Sequence, residues 1–309
     1  MIERASKSFF HLLARSGLLK HLAARYGMRK PTSFARRFIA GETIDEAIDA
    51  ARRVEGLGLL ITLDYLGEGV TTLAEAEAAT RDYLRIIDAM IASGIERNLS
   101  LKLTQLGLDV DRASAVDNLR KILDRAGGFF VRIDMENSPY TDVTLDIFET
   151  LWHQGYRQIG VVLQADLHRT EKDLRRLMAL GARIRLVKGA YVEPASVACA
   201  DKRDVDASYA RVLEMLLREG PYPAITTHDP ALIDHAKRFA AEHGIAADRF
   251  EFQMLYGIRR DVQAALVREG YRVRVYIPFG RQWLPYFMRR LGERPANVLF
   301  VLRSLAREG

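Results

Sequence analysis

Residues 158–187 read QIGVVLQADLHRTEKDLRRLMALGARIRLV. The run Gln158 to Gln164 is short and apolar, Thr170 to Ala179 is amphipathic and long enough for two or more helical turns, and Arg183 to Val187 is again short and apolar. Parallel neighbours need a crossover of a dozen or more residues, so strand, helix and strand at this spacing form a parallel βαβ unit. The same alternation extends in both directions. Apolar runs recur at Leu57 to Leu63, Leu99 to Leu103, Phe129 to Asp134, Ala224 to Thr227, Arg249 to Met254 and Val273 to Pro278, which makes eight in all. Amphipathic stretches separate them: Leu73 to Ser93, Ala113 to Ala126, Leu145 to Gly155, Asp206 to Glu219, Ala231 to His243 and Arg260 to Glu269.

Eight such units suggest closure. A (β/α)8 TIM-type barrel takes about 250 residues, which matches the span from residue 55 to the end of this 309-residue chain. The expected fold class is therefore α/β, with residues 1–50 as an N-terminal helical extension and residues 51–309 as the barrel. The competing arrangement is an open doubly wound sheet. What favours the barrel is the set of polar residues that close the apolar runs, because barrel chemistry sits at the C-terminal ends of the strands. That set comprises Asp64, Lys102 with Thr104 and Gln105, Asp134 with Glu136, Gln164, Arg185 with Lys188, Thr227 with His228 and Asp229, Gln253, and Tyr276. Charges on strands between a core and its helices are costly unless paired or used.

Composition narrows the function. There are 46 Lys plus Arg against 40 Asp plus Glu, a net charge of +6, but residues 1–37 hold nine basic groups and one acid. The basicity is terminal, which argues against a nucleic-acid face spread over the fold and leaves an N-terminal segment suited to an anionic surface or a partner. Phe9, Phe10, Leu12, Leu13, Leu18, Leu19 and Leu22 among its Arg and Lys give it the composition of a basic amphipathic helix. The single cysteine, Cys199, excludes an internal disulfide and a multi-Cys metal site and points to a reducing, cytoplasmic setting. The longest stretch without Asp, Glu, Lys or Arg, Gly220 to His228, is nine residues, against the about 20 that a membrane-crossing helix needs. Gly56-Leu57-Gly58 precedes its strand and lacks a third glycine, so it is no dinucleotide fingerprint, and no P-loop, HExxH, Gly-x-Ser-x-Gly or His cluster supports phosphoryl transfer, a metal or a serine nucleophile.

Several strings carry a more specific likeness: Ser100-Leu-Lys-Leu-Thr104, Arg132-Ile-Asp-Met-Glu136, Arg185-Leu-Val-Lys-Gly-Ala-Tyr191, Thr227-His-Asp229, Phe250-Glu-Phe-Gln-Met-Leu-Tyr-Gly257 and Tyr276-Ile-Pro-Phe-Gly280, followed by Tyr286-Phe-Met-Arg-Arg290 and Glu293. In these, and over nearly its whole length, the chain resembles the monofunctional proline dehydrogenases and the matching domain of bifunctional proline utilisation proteins. The resemblance implies a distorted β/α barrel with FAD at the C-terminal ends of its strands and a C-terminal helix covering the substrate. It implies oxidation of L-proline to Δ1-pyrroline-5-carboxylate, with C5 hydride delivered to flavin N5 and electrons passed to a membrane quinone. A pyrroline-5-carboxylate dehydrogenase would then be a partner, and residues 1–37 would either give peripheral contact with the inner face of the cytoplasmic membrane or pack against the barrel or a second subunit.

Residue by residue, the resemblance implies that Arg289, Arg290 and Lys102 hold the proline carboxylate, for which paired guanidinium forks are suited. Tyr276 and Leu255 wall the ring, and Tyr276 would crowd a ring hydroxyl, so proline is favoured over 4-hydroxyproline. Arg185 contacts the flavin, where a fixed cation favours the reduced ring. Lys188 and the Gly189-Ala190 turn meet the cofactor, Gly189 by allowing close backbone approach. Tyr191, Met135, Gln164, Thr227, His228, Gln253 and Glu293 complete the cofactor set, and Glu68 pairs with Arg289 as a gate. Asp134 has two open roles: orienting Arg185 or Lys102, or assisting proton removal from the substrate's ammonium. A salt bridge from Arg185 to Asp134 is compatible with either. The rival readings are another FAD-containing barrel oxidoreductase, such as a folate reductase, and a non-catalytic membrane scaffold.

Overall fold

A computed structural model describes Met28, residues 33–67 and residues 69–293. Eight parallel strands close on themselves in chain order: β1 (Leu60–Tyr65), β2 (Asn98–Leu101), β3 (Phe130–Ile133), β4 (Ile159–Gln164), β5 (Arg183–Val187), β6 (Ala224–Thr226), β7 (Glu251–Leu255) and β8 (Arg272–Phe279). Pairing of β1 with β8 from Leu60↔Arg274 to Tyr65↔Phe279 completes the ring and excludes the open sheet. Helix α1 (Ile44–Glu55) precedes the first strand, and α2 (Leu73–Ser93), α3 (Arg112–Arg125), α4 (Thr141–His153), α5 (Thr170–Ala179), α6 (Lys202–Glu219), α7 (Pro230–Glu242), α8 (Arg260–Arg268) and α9 (Trp283–Glu293) follow successive strands.

Local sequence explains the boundaries. Thr43 with Glu46 and Thr72 with Glu75 form capping boxes that satisfy the first N–H groups of α1 and α2. Asp111 caps α3 through the Ser114 N–H, and Asp229 caps α7 through the Ala231 N–H with Pro230 in the first turn. Along each strand the side chains alternate. Leu101, Ile133, Val161, Leu163, Leu186, Ile225 and Met254 join the helices in one continuous apolar core. Their neighbours Lys102, Asp134, Gln164, Arg185, Thr226 and Gln253 line the barrel mouth instead.

Three expectations shift. β1 starts at Leu60, because Leu57 lies in the turn that ends α1 and is 70% exposed. β2 stops at Leu101, and Thr104–Leu106 turns into a short 3-10 helix. Helix α1 runs unbroken across residue 50 and packs Ala47, Ile48, Ala51 and Val54 into the barrel core. A second, smaller cluster joins Met28, Phe38 and Ile39 to Leu66, Trp283, Tyr286 and Phe287. It seats the start of α9 beside the barrel mouth, and the Trp283 indole N–H donates to Glu42 at 2.9 Å.

Candidate active site

The C-terminal ends of the strands surround a cavity of about 590 Å³, within the range of small-molecule sites. At its floor β1, β2, β3, β5 and β8, or the residues just past their ends, contribute one charge cluster. Arg185 Nη1 donates to Asp134 Oδ1 at 2.7 Å, and Arg185 Nη2 donates to Ser100 Oγ at 3.0 Å. The Tyr276 hydroxyl donates to the other Asp134 oxygen at 2.8 Å, and its ring lies 5.3 Å from the guanidinium carbon of Arg185. Lys102, one residue past β2, places Nζ 3.1 Å from Asp64 Oδ1 and 3.8 Å from Asp134 Oδ2. All five charged or phenolic groups are therefore held before any ligand arrives, which is the condition for electrostatic preorganisation.

Burial sets the protonation of Asp64 and Tyr276. Asp64 is fully buried, and loss of solvent pushes its pKa up by more than the Lys102 ammonium lowers it, with the Asp134 carboxylate adding to the rise. Tyr276 stays a neutral donor, since burial first and Asp134 second push its pKa well above the ordinary phenol value.

On the β5 and β6 side, Lys188 Nζ sits 2.6 Å from Asp206 and 2.9 Å from Asp229. Burial is the largest single influence and raises both carboxyl pKa values, but Lys188 and Lys202 together, with the Ala231 N–H on Asp229, outweigh it and leave both below the usual range. Gly189 has φ +119°, and a Cβ there would run into the Asp166 carboxylate. Asp166 and the left-handed backbone are each a reason for glycine at this position. His228 Nε2 accepts the Leu255 N–H at 3.0 Å, so the proton of the neutral ring is on Nδ1. Leu255 and Tyr276 are register partners on β7 and β8 and line the cavity side by side.

Lys102, Asp134, Arg185, Leu255 and Tyr276 thus share one cavity with Met135, Gln164, Lys188, Gly189, Ala190, Tyr191, Thr227, His228 and Gln253. Arg289, Arg290 and Glu293 are on the backbone of α9, but their side chains lie outside the described residues, as does Glu68 altogether. Gln105 is directed away from the mouth, accepting from Tyr83 at 2.7 Å and donating to the Tyr65 carbonyl at 3.0 Å. Sequence reading gave no role to Ser100, Lys202, Asp206, Arg259 or Tyr286. Lys202, Arg259 and Tyr286 line the same cavity. The Lys202 and Asp206 pair at i, i+4 was the one local signal. Arg259 is a non-glycine residue in the left-handed region, at φ 48°, a backbone state no sequence pattern announced.

Three buried polar atoms of residues that line the cavity, Arg185 Nε, Thr226 Oγ1 and Gln253 Oε1, have no hydrogen-bond partner among the described residues. Donors and acceptors left open around one cavity fit a flat heteroaromatic ring with both kinds of group on its edge, as a flavin has. Among the described residues no group of His, Cys, Asp and Glu could hold a metal, and no helix is long and apolar enough to cross a membrane.

Residues 47–303 match the family model described as proline dehydrogenase. The chain is 42% identical to proline dehydrogenase 2 of Bacillus subtilis over 305 residues, covering 98% of this chain and 99% of the relative. It is 44% identical to the proline dehydrogenase of Deinococcus radiodurans over 283 residues, covering 90% and 91%. Among solved structures, proline utilization A from Bdellovibrio bacteriovorus, inactivated by N-propargylglycine, superposes with a TM-score of 0.78 at 27% identity. The match covers 84% of this chain and 32% of that longer one.

Proposed function

The chain belongs to the proline dehydrogenase family, and from that membership we propose that it oxidises L-proline to Δ1-pyrroline-5-carboxylate with FAD as its flavin. Bound FAD supplies the two-electron acceptance that the oxidation needs. Met135, Gln164, Arg185, Lys188, Gly189, Ala190, Tyr191, Thr227, His228 and Gln253 would hold it, together with Glu293. Lys102, Arg289 and Arg290 bind the substrate carboxylate. Tyr276 and Leu255 wall the ring. Asp134 holds Arg185 and the Tyr276 hydroxyl in place, with both of its oxygens engaged, which supports orientation over proton removal. Glu68 closes the site through Arg289, excluding water from the imine product.

The observation that carries this reading is the preorganised Arg185–Asp134–Lys102 cluster beneath a cavity lined by open hydrogen-bonding groups. The test is anaerobic bleaching of the flavin absorbance of the purified protein by L-proline, with 4-hydroxyproline, NADH and buffer as controls. Bleaching by proline supports the assignment; bleaching by NADH alone replaces it with a reductase. Electrons leave to a membrane quinone, reached through the basic segment 1–37, and the product passes to a pyrroline-5-carboxylate dehydrogenase. Deleting residues 1–27 should abolish liposome binding and lower activity with a membrane quinone; unchanged values would remove the docking role.

A further inference from the structure

Glu251 and Gln253 are two residues apart on β7 and share the barrel-facing side of the strand. Glu251 is 2% exposed. Arg274 clamps it from β8, Nε on Oε1 at 2.7 Å and Nη2 on Oε2 at 2.9 Å, and continues to Glu96 at 2.7 Å. The Tyr222 hydroxyl donates to Oε2 at 3.2 Å. Burial alone would raise the Glu251 pKa, but Arg274 outweighs it and holds the group down to about 2. An ionised carboxylate only accepts, whereas the Gln253 amide has a donating and an accepting end. Only its nitrogen can face Glu251, and Nε2 donates to Glu251 Oε1. Its oxygen is left on the opposite side, buried and without a donor among the described residues, on a side chain that lines the cavity.

We infer that Glu251 is a positioning residue: by taking the Gln253 Nε2–H it turns Gln253 Oε1 into the cavity and makes that point of the floor an obligate hydrogen-bond acceptor. A ligand is selected there that presents an N–H or O–H. An amide free to flip would offer either end. The cost of fixing it is borne by the Arg274–Glu251–Glu96 network below the site, whose other contacts lie among barrel side chains and the Ile61 carbonyl.

The test rests on the flavin reading of the cavity only in its choice of ligand. The full chain is compared with Glu251→Gln, Gln253→Leu and the double variant for the FAD dissociation constant and the midpoint potential of the bound flavin. Each single substitution is expected to weaken FAD binding by about tenfold, the loss of one buried hydrogen bond. The double variant should lie within about twofold of Gln253→Leu, with the same potential, because Glu251 then has nothing left to orient. Effects of Glu251→Gln that are as large in the Gln253→Leu background would make Glu251 a fold residue only and overturn the inference. If the Glu251 variant does not fold, or the chain takes up no FAD, the orientation is read in the unsubstituted chain from the ¹⁵N side-chain amide of Gln253, assigned by its loss in Gln253→Leu. Exchange-protected protons close to the Arg274 guanidinium support the inference, and protons exchanging freely with cavity water overturn it. Absent FAD uptake would count against the flavin reading alone.

Discussion

Asp134 and Arg185, 51 residues apart in sequence and separated by the whole of β4, meet at 2.7 Å across the barrel mouth. Both are buried, so the pair is more than a surface contact. Removing one partner leaves the other buried charge without compensation. Asp134→Ala should therefore lower conformational stability by about 3 kcal/mol and slow proline-driven flavin bleaching by about a hundredfold. Stopped-flow reduction and urea unfolding measure the two effects. A variant that reduces within threefold of the unsubstituted rate would show that Arg185 needs no orientation by Asp134.

The Tyr276 ring is fixed by its hydroxyl on Asp134 and by stacking near Arg185, so it is poorly placed to yield to a bulkier substrate. With Leu255 beside it on the neighbouring strand, it forms one wall of the cavity. kcat/KM for 4-hydroxyproline should fall below that for proline by at least about tenfold, and Tyr276→Ala should narrow the gap. Equal values in the unsubstituted protein would end this account of specificity.

Gly189 sits at φ +119° against the Asp166 carboxylate. Gly189→Ala adds a strained backbone and an overpacked contact, and should cost about 2–4 kcal/mol together. The two shares separate by experiment: adding Asp166→Ala should recover the packing part and leave the backbone part. Urea midpoints decide this, and a double variant no more stable than Gly189→Ala would put the whole cost on the backbone.

Much of this arrangement was legible before any coordinates, for physical reasons. Leu73–Ser93 and Thr170–Ala179 fall where their amphipathic period starts and stops, and the strand-end polar residues stand out because nothing else explains charge on a buried strand. Where pattern is silent, reading failed. The Lys-Arg-Asp opening of α6 has no apolar period, so the helix starts at Lys202, four residues earlier than its first hydrophobic repeat suggests. Leu57 reads as the start of a strand and lies in the turn that ends α1. The partners of Lys188 come from α6 and from the loop before α7, a meeting that exists only once the barrel has closed. The same holds for Glu251, which in the sequence is one charge in an apolar string.

Glu251 also makes the acid stability of the barrel testable. Its pKa is held at about 2, from an ordinary value of 4.5, because Arg274 outweighs the effect of burial. A carboxyl whose folded pKa is depressed contributes stability that is present above its unfolded pKa and lost as pH falls through the folded one, since the unfolded chain takes up the proton first. The full contribution, about 3 kcal/mol, is thus present above pH 5 and lost progressively toward pH 2. Asp206 and Asp229 are depressed as well and add to the same acid limb, so the Glu251 share has to be isolated by difference. The unfolding free energy of the unsubstituted chain should exceed that of Glu251→Gln by a constant amount from pH 7 to 5.5, and the difference should shrink by roughly 1 kcal/mol by pH 3.5. A difference that stays flat over that interval would mean that Glu251 titrates alike in the folded and unfolded chains, and that the Arg274 clamp does not stabilise its charge.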